Sequence, residues 1–134
     1  MTRKEKIVLI GAGSLSFGLG AVGNILESKI LEGATICLHD IDAENLELAF
    51  NASQAAIEKN KLNFELEHTT LRNEALRNAT FIINSIEVAP RYPLLDLDFQ
   101  IPQEFGCKQI SGENGGPGGL FHSLRVIPPV LEIC

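Results

Sequence analysis

Residues 7–20 read IVLIGAGSLSFGLG and place a short apolar run directly before a glycine-rich turn. The run Ile7–Ile10 stops abruptly at Gly11, which is typical of a strand buried on both faces of a parallel sheet. After the turn, apolar residues recur at the spacing of a helix with one buried face. This stretch therefore predicts a strand, a tight turn and a helix in immediate succession.

The rest of the chain repeats the alternation of strands and helices. Further strands are predicted at residues 34–39, 64–68, 80–85 and 108–111. Helices are predicted after a cap at Asp42, near residues 71–77, over 92–105 and after a second glycine-rich loop, with a separate last helix starting at the pair Pro128–Pro129. Such alternation predicts an α/β fold with a Rossmann-like, doubly wound parallel sheet in three layers, whose strands all end along one edge.

Composition and charge limit the classes of function. With 134 residues, 45% of them hydrophobic, the chain has the size of one domain and can bury a core. The net charge of −6 disfavours nucleic acid as a partner, and no apolar run approaches the ~20 residues needed to cross a membrane. The N-terminus lacks the pattern of a signal peptide. Three cysteines, Cys37, Cys107 and Cys134, form no CxxC pair, so we expect reduced thiols and a cytoplasmic protein.

The first glycine turn resembles a dinucleotide-binding G-x-G-x-x-G in two of its three glycines. Gly11 permits the tight turn, and Gly13 lets a pyrophosphate approach the backbone and the N–H groups that open the following helix. Ser16 occupies the third position, so Gly18 and Gly20 become candidates for close contact between helix and strand. The alternative is a tight loop that holds no ligand.

An acidic residue follows the second predicted strand at the position where the ribose of a dinucleotide is bound. Asp40 lies a little over twenty residues after the glycine turn. A carboxylate there accepts hydrogen bonds from both ribose hydroxyls and repels a 2′-phosphate, so it favours NAD over NADP. The alternative is a solvated turn residue before the cap at Asp42.

Polar residues also follow the fourth predicted strand. Asn84 and Ser85 fall where a Rossmann domain passes close to ribose and nicotinamide, although Asn84 also suits a turn-capping amide. Glu87 and Arg91 either meet a polar substrate or pair with each other in solvent.

A second glycine-rich loop, GENGGPGG at residues 112–119, contains five glycines. A plain connection needs fewer, so the excess indicates a backbone that lies against a ligand. The loop lacks the Lys–Ser/Thr end of a P-loop, which disfavours ATP. Glu113 and Asn114 are the side chains there that can specify a ligand, while His122 on the following helix is equally well explained as structural or as a substrate contact.

Four stretches, KIVLIGAGSLSFGLG, LHDID, NSIEVAPRYP and GENGGPGGLFHSLRVIPPVL, occur in an order and spacing similar to the N-terminal part of glycoside hydrolase family 4. The similarity covers essentially the whole chain and is greatest to members of the α-glucosidase and α-galacturonidase type. It implies cofactor contacts at Gly11, Gly13, Ser14, Leu15, Ser16, Phe17, Asp40, Asn84 and Ser85. It implies substrate contacts at Glu87, Glu113 and Asn114, to which we add Arg91.

The resemblance implies an unusual route to hydrolysis of O-glycosidic bonds. In the family, NAD⁺ takes a hydride from C3 of the sugar, a base then removes the acidified C2 proton, and the aglycone leaves by elimination. Water adds, the hydride returns, and a divalent metal, usually manganese, polarises the C2 and C3 oxygens. The family's metal ligands and proton-abstracting group lie in later segments, so we assign neither a catalytic residue nor a metal ligand in this chain. Cys134 lacks the Asn-Pro neighbourhood of the family's metal-binding cysteine.

We therefore expect residues 1–134 to be the NAD-binding Rossmann domain of a truncated glycosidase, inactive alone and homo-oligomeric in its full-length form. Two alternatives stay open at this point. One is an NAD-dependent dehydrogenase of the lactate or malate type, which does not require the second glycine loop. The other is a non-catalytic module that binds NAD and turns nothing over.

Overall fold

The computed structural model describes residues 4–14, 17–88, 90–108 and 115–134, which form two compact units, residues 1–85 and residues 86–134. In the first unit, strands and helices alternate as the sequence predicts. Its elements are β1 (Lys6–Ile10), α1 (Phe17–Leu26), β2 (Thr35–His39), α2 (Ala43–Asn60), β3 (Glu65–Thr69), α3 (Arg72–Leu76) and β4 (Phe81–Asn84).

The four strands form one parallel sheet in the order β3-β2-β1-β4. The chain adds β2 and β3 on one side of β1 and then crosses back to add β4 on the other side. The order of strands thus reverses between β1 and β4, and the edge of a doubly wound sheet at such a reversal is where ligands bind. This arrangement confirms the Rossmann-like α/β prediction.

Both faces of the central strands are buried. Alternate residues of β1 and β2 join α1 and α2 in one apolar cluster, because successive side chains of a strand point to opposite faces. The cluster includes Ile7, Leu9, Val22, Ile25, Ile36, Leu38, Leu46, Ala49 and Ile57. On the other face, Val8, Ile10 and Cys37 are also buried, and burial raises the pKa of the Cys37 thiol. Burial on both faces confirms the predicted three layers.

Helix α2 begins where the sequence predicts. The carboxylate of Asp42 accepts hydrogen bonds from the backbone N–H groups of Glu44 and Asn45, both at 3.0 Å, and so satisfies two donors of the first turn. The helix ends at Lys61, whose backbone is left-handed with φ of 52° and whose N–H returns to the carbonyls of the last turn. The cap matters for the site because Asp40 lies two residues before it.

Helix α1 approaches the turn before it most closely at Gly18. A Cβ at this position would overlap the carbonyl group of Ala12, so glycine is required there. Gly18 therefore allows the close helix–strand packing that the third glycine of G-x-G-x-x-G provides in dinucleotide-binding turns. A Cβ at Gly20 would meet no heavy atom within 4 Å, so the prediction of a close approach is confirmed for Gly18 and wrong for Gly20.

The described residues of the second unit include the helices α4 (Arg91–Glu104) and α5 (Gly116–Leu131). They are joined by an ion pair in which both guanidinium Nη atoms of Arg125 donate to the buried carboxylate of Asp98, with Nη1–Oδ1 at 3.1 Å. This hydrogen bonding raises the pKa of the Arg125 guanidinium, which therefore stays charged. The two long-range partners lie 27 residues apart in the sequence.

The prediction of a separate last helix at Pro128–Pro129 is wrong, since α5 runs through both prolines. The proline ring fixes φ near the helical value, so the two residues cost hydrogen bonds without forcing the chain out of the helix. Beyond the prolines, the N–H of Glu132 donates to the carbonyl of Pro128 at 3.2 Å. The strand predicted at 108–111 falls, apart from its first residue, outside the described residues. Within the described parts of the chain, no helix combines the length and apolar character needed to span a membrane.

Candidate dinucleotide-binding site

The turn after β1, residues 11–14, is held between the ends of β2 and β4; we call it the glycine turn. The N–H groups of Gly11 and Ala12 both donate to the carbonyl of His39, at 2.9 and 3.0 Å. Gly11 has φ of 85°, and a Cβ there would lie 2.9 Å from the carbonyl oxygen of Ser85. Both its conformation and its surroundings therefore demand glycine.

Gly13 lies against the carboxylate of Asp40. Its N–H donates to Oδ2 of Asp40 at 2.8 Å, and a Cβ at Gly13 would lie 2.8 Å from the same oxygen. The Cβ atom of Asn45 would be only 2.9 Å away on the neighbouring helix α2. The sequence motif indicates that Gly13 lets a pyrophosphate approach the backbone. The structure adds that a larger residue at this position would collide with Asp40 and Asn45.

Asp40 is more than a solvated turn residue. Its second oxygen, Oδ1, accepts the N–H of Asp42 at 3.0 Å, so the carboxylate connects the glycine turn to the start of α2. An ionised carboxylate has about four lone-pair positions, so acceptor capacity is left for two ribose hydroxyls. The residue between the two aspartates, Ile41, is 92% exposed.

Some backbone N–H groups of the glycine turn have good acceptors within the protein, and others do not. Gly11, Ala12 and Gly13 have good protein acceptors, whereas the N–H of Ser14 reaches the Gly11 carbonyl only at 3.4 Å. The N–H of Phe17, the first residue of α1, reaches Oγ of Ser14 at the same long distance. A diphosphate would therefore find donors in the N–H groups of Ser14 and Phe17, where the positive end of the helix dipole also lies. Leu15 and Ser16, predicted to share this contact, lie outside the described residues.

The end of β4 completes the edge of the sheet. The N–H of Ser85 donates to the carbonyl of Ile10 at 2.9 Å, and its hydroxyl lies 3.2 and 3.3 Å from the carbonyls of Ile10 and Gly11. Ser85 thus supports the glycine turn. Asn84 pairs in register with Ile10 and has an exposed side chain at the same edge. The contacts of both residues with a cofactor stay predictions.

The sequence-predicted substrate residues fall in the second unit. Arg91 and Glu87, four residues apart, form an ion pair, with Nε to Oε2 at 3.7 Å. This geometry matches the alternative in which the two side chains pair with each other, and a substrate contact stays a prediction. Glu113 and Asn114 lie outside the described residues.

Three residues near the site are not predicted from the sequence. Asn45 packs beside Gly13, Ala12 presents its carbonyl to Gly18, and Ile41 is almost fully exposed beside Asp40. A signal for Asn45 exists in the sequence, because it stands three residues after the cap Asp42, to whose carboxylate its amide donates at 2.7 Å. Nothing in the sequence alone points to Ala12.

A groove lies elsewhere in the described residues. It has a volume of about 540 Å³ and is bordered by the C-terminal ends of α1 and α2 and the start of β3, at Leu26, Asn60 and Phe64. Lysines and glutamates are mixed around it, for example Lys29 and Glu32. It contains neither a glycine turn nor a helix N-terminus, so we place the candidate site at the opposite, carboxyl edge of the sheet.

No group of three His, Cys, Asp or Glu side chains that could hold a metal occurs within residues 4–14, 17–88, 90–108 and 115–134. We therefore assign no metal ligand among these residues.

Comparison with known proteins identifies the family. A model of the family 4 glycosyl hydrolases matches residues 6–134. The chain belongs to this family. An α-glucosidase from Erwinia rhapontici is 54% identical over 96% of the chain, and an α-galacturonidase from Thermoanaerobacter italicus is 33% identical over the same share. The family 4 resemblance seen in the four sequence stretches is thereby confirmed.

Solved structures agree on the fold. The 6-phospho-β-glucosidase from Thermotoga maritima, solved with NAD and glucose-6-phosphate, superimposes on 98% of the chain with a TM-score of 0.81 at 23% identity. The chain spans only part of each family member: 28% of the α-glucosidase, 27% of the α-galacturonidase and 30% of the 6-phospho-β-glucosidase.

Proposed function

We propose that residues 1–134 are the NAD-binding domain of a family 4 glycosidase that hydrolyses O-glycosidic bonds. The observation that carries the proposal is the glycine turn joined to Asp40 at the carboxyl edge of the sheet, in a chain whose family is established. Family membership also favours a glycosidase over a lactate- or malate-type dehydrogenase, since those enzymes share the fold but not the family.

The described residues suit NAD⁺ in three ways. At the glycine turn, the N–H groups of Ser14 and Phe17 have weak protein acceptors, and the positive end of α1 faces the same place. Asp40 offers a carboxylate to the adenosine ribose. Its charge would repel the 2′-phosphate of NADP, so NAD⁺ is the expected cofactor.

When bound, NAD⁺ supplies a hydride acceptor for a sugar carbon, which is the chemistry that the family resemblance implies. The contribution of this chain is to bind and orient. Asp40 and the start of α1 would fix the adenosine and diphosphate, and the end of β4 with Asn84 would lie toward the nicotinamide. A divalent metal such as manganese would act as a Lewis acid on the sugar oxygens, and its ligands would come from parts of family members that this chain does not match.

The proposed substrate is an α-linked glycoside of gluco- or galacto-configuration, or its uronic counterpart. Support comes from the 54% identity to an α-glucosidase. Glu87, Arg91, Glu113 and Asn114 are the proposed sugar contacts. We further propose that the protein is cytoplasmic, since its three cysteines are free thiols, and homo-oligomeric in its full-length form.

The test is glycoside hydrolysis by the complete gene product. With 4-nitrophenyl α-D-glucopyranoside in deuterated water, we expect hydrolysis that requires both NAD⁺ and Mn²⁺ and places deuterium at C2 of the released sugar. Hydrolysis that proceeds equally without NAD⁺, or net accumulation of NADH, would contradict the proposal. Asp40→Ala serves as the site control, because it should raise the NAD⁺ concentration needed for half-maximal rate.

A further inference from the structure

We propose that Asp40 is also a positioning residue: it holds the glycine turn in the shape that receives the diphosphate, in addition to reading the ribose. This inference rests on the proposed NAD site. It predicts that Asp40 contributes to binding even of a cofactor whose adenosine ribose has no hydroxyl group to offer.

The geometry of one carboxylate carries the argument. Oδ2 of Asp40 accepts the N–H of Gly13 at 2.8 Å across 27 residues of sequence, and Oδ1 accepts the N–H of Asp42 at 3.0 Å. Both bonds are charge-assisted, and such bonds are about twice as strong as those between neutral groups. Gly13 is buried, so water cannot easily replace its acceptor.

The connection continues into α2. Asp42 accepts the N–H groups of Glu44 and Asn45 at 3.0 Å, and the amide of Asn45 donates to the other oxygen of Asp42 at 2.7 Å. This holds the Cβ atom of Asn45 only 2.9 Å from where a Cβ at Gly13 would be. The glycine turn is therefore fixed to the first turn of α2 by hydrogen bonds and by packing, with Asp40 at the junction.

Loss of the Asp40 carboxylate would leave the buried N–H of Gly13 without its acceptor. The turn would then relax to reach water, and the donors that begin at Ser14 would move with it, because Ser14 follows Gly13 directly. A binding site that must be reordered on binding loses affinity. A substitution meant to admit the 2′-phosphate of NADP would consequently weaken both cofactors instead of exchanging one for the other.

The decisive experiment is a thermodynamic cycle that combines two protein variants with two ligands. The affinities are measured by isothermal titration calorimetry of the chain. The ligands are NAD⁺ and an NAD⁺ analogue whose adenosine ribose lacks both hydroxyls. If Asp40 also positions the turn, Asp40→Ala weakens binding of the analogue by about tenfold, the effect expected for loss of one charge-assisted hydrogen bond to a buried donor. If Asp40 reads only the ribose, the affinity of the analogue changes by less than twofold, and the inference is overturned.

Amide hydrogen exchange at Gly13 tests the same claim without any cofactor. We expect exchange at Gly13 to accelerate at least tenfold in Asp40→Ala, and less in Asp40→Asn, whose amide oxygen can still accept the bond. Asp42→Ala is the matched control, since it removes the helix cap but leaves the backbone N–H to which Asp40 also binds. In that control, exchange at Gly13 should stay within about threefold of the wild type, because the Gly13–Asp40 bond remains.

The outcomes separate the two proposals. Absence of NAD⁺ binding by the wild-type chain would contradict the proposed function, while the Gly13 exchange rates would still report on the positioning role. Normal NAD⁺ binding, with unchanged Gly13 exchange in Asp40→Ala, would overturn the positioning role alone. Should Asp40→Ala fail to fold, Asp40→Ser, whose shorter side chain lacks the carboxylate, supplies both measurements, with unchanged exchange and unchanged analogue affinity counting against the inference.

Discussion

The two units of the chain differ in the residues that each of them buries. In residues 1–85, the buried set is almost entirely apolar and comes from both β-strands and helices. In the described part of residues 86–134, the buried residues are Asp98, Pro102, Gly118, Gly119 and Ile133, and several large apolar side chains are at least half exposed. The first unit therefore has an ordinary hydrophobic core, whereas the described part of the second buries few apolar side chains and includes the buried Asp98–Arg125 ion pair.

The largest expected difference between the units comes from the same substitution made in each. Leu38→Ala removes a fully buried side chain of β2 and should lower the free energy of unfolding by about 3–5 kcal/mol. Leu124→Ala removes a side chain of α5 that is 62% exposed and should change it by less than about 0.5 kcal/mol. Urea unfolding followed by circular dichroism measures both. Equal losses would mean that α5 has a core that the described contacts do not include.

The ion pair of the second unit should give the next largest effect. Arg125→Ala removes the guanidinium that pairs with the buried carboxylate of Asp98, which we expect to cost about 3 kcal/mol in the local stability of α4 and α5. Amide exchange of the two helices is the measurement. Asp96→Ala, on the exposed face of α4, is the control and should change exchange little. Undisturbed protection in Arg125→Ala would show that the pair does not hold the helices together.

Two glycines of α1 in the first unit should respond in opposite ways to replacement by alanine. Gly18→Ala pushes a methyl group into the carbonyl of Ala12 and should destabilise the protein by about 1–3 kcal/mol. Gly20→Ala meets nothing within 4 Å and should stabilise it by about 0.5–1 kcal/mol through helix propensity. Thermal unfolding of the two variants should therefore shift in opposite directions, and a shift in the same direction would count against the assigned role of Gly18.

The smallest expected effect is a pH dependence at the edge strand β3. The hydrogen bond and charge of Lys4 hold the pKa of Glu65 below its usual range. Since the folded pKa is lowered, this contribution is present above the usual pKa of a glutamate, about 4.3, and disappears as pH falls through the lower folded value. Lys4→Ala should lower Tm slightly at pH 7 and leave it unchanged at low pH. A difference that persists at low pH would exclude this ion pair as its cause.

The sequence predicts the first unit well because its signals are local. Apolar runs, the cap at Asp42 and the glycines around residue 11 each report on their own neighbourhood, and the structure agrees with them. The features that the sequence does not predict are contacts between residues far apart along the chain. The bond from Gly13 to Asp40 joins positions 27 residues apart, and so does the pair of Asp98 and Arg125. The course of α5 through Pro128 and Pro129 was missed because the local rule treats a proline as a boundary.

The central claim is that the glycine turn and Asp40 bind NAD, and a crystal structure of the chain grown with NAD⁺ tests it most directly. We expect the diphosphate to lie within hydrogen-bonding distance of the backbone N–H groups of Ser14 and Phe17. The adenosine ribose hydroxyls should donate to the carboxylate of Asp40. A diphosphate bound elsewhere on the molecule, or an adenosine ribose that points away from Asp40, would contradict it.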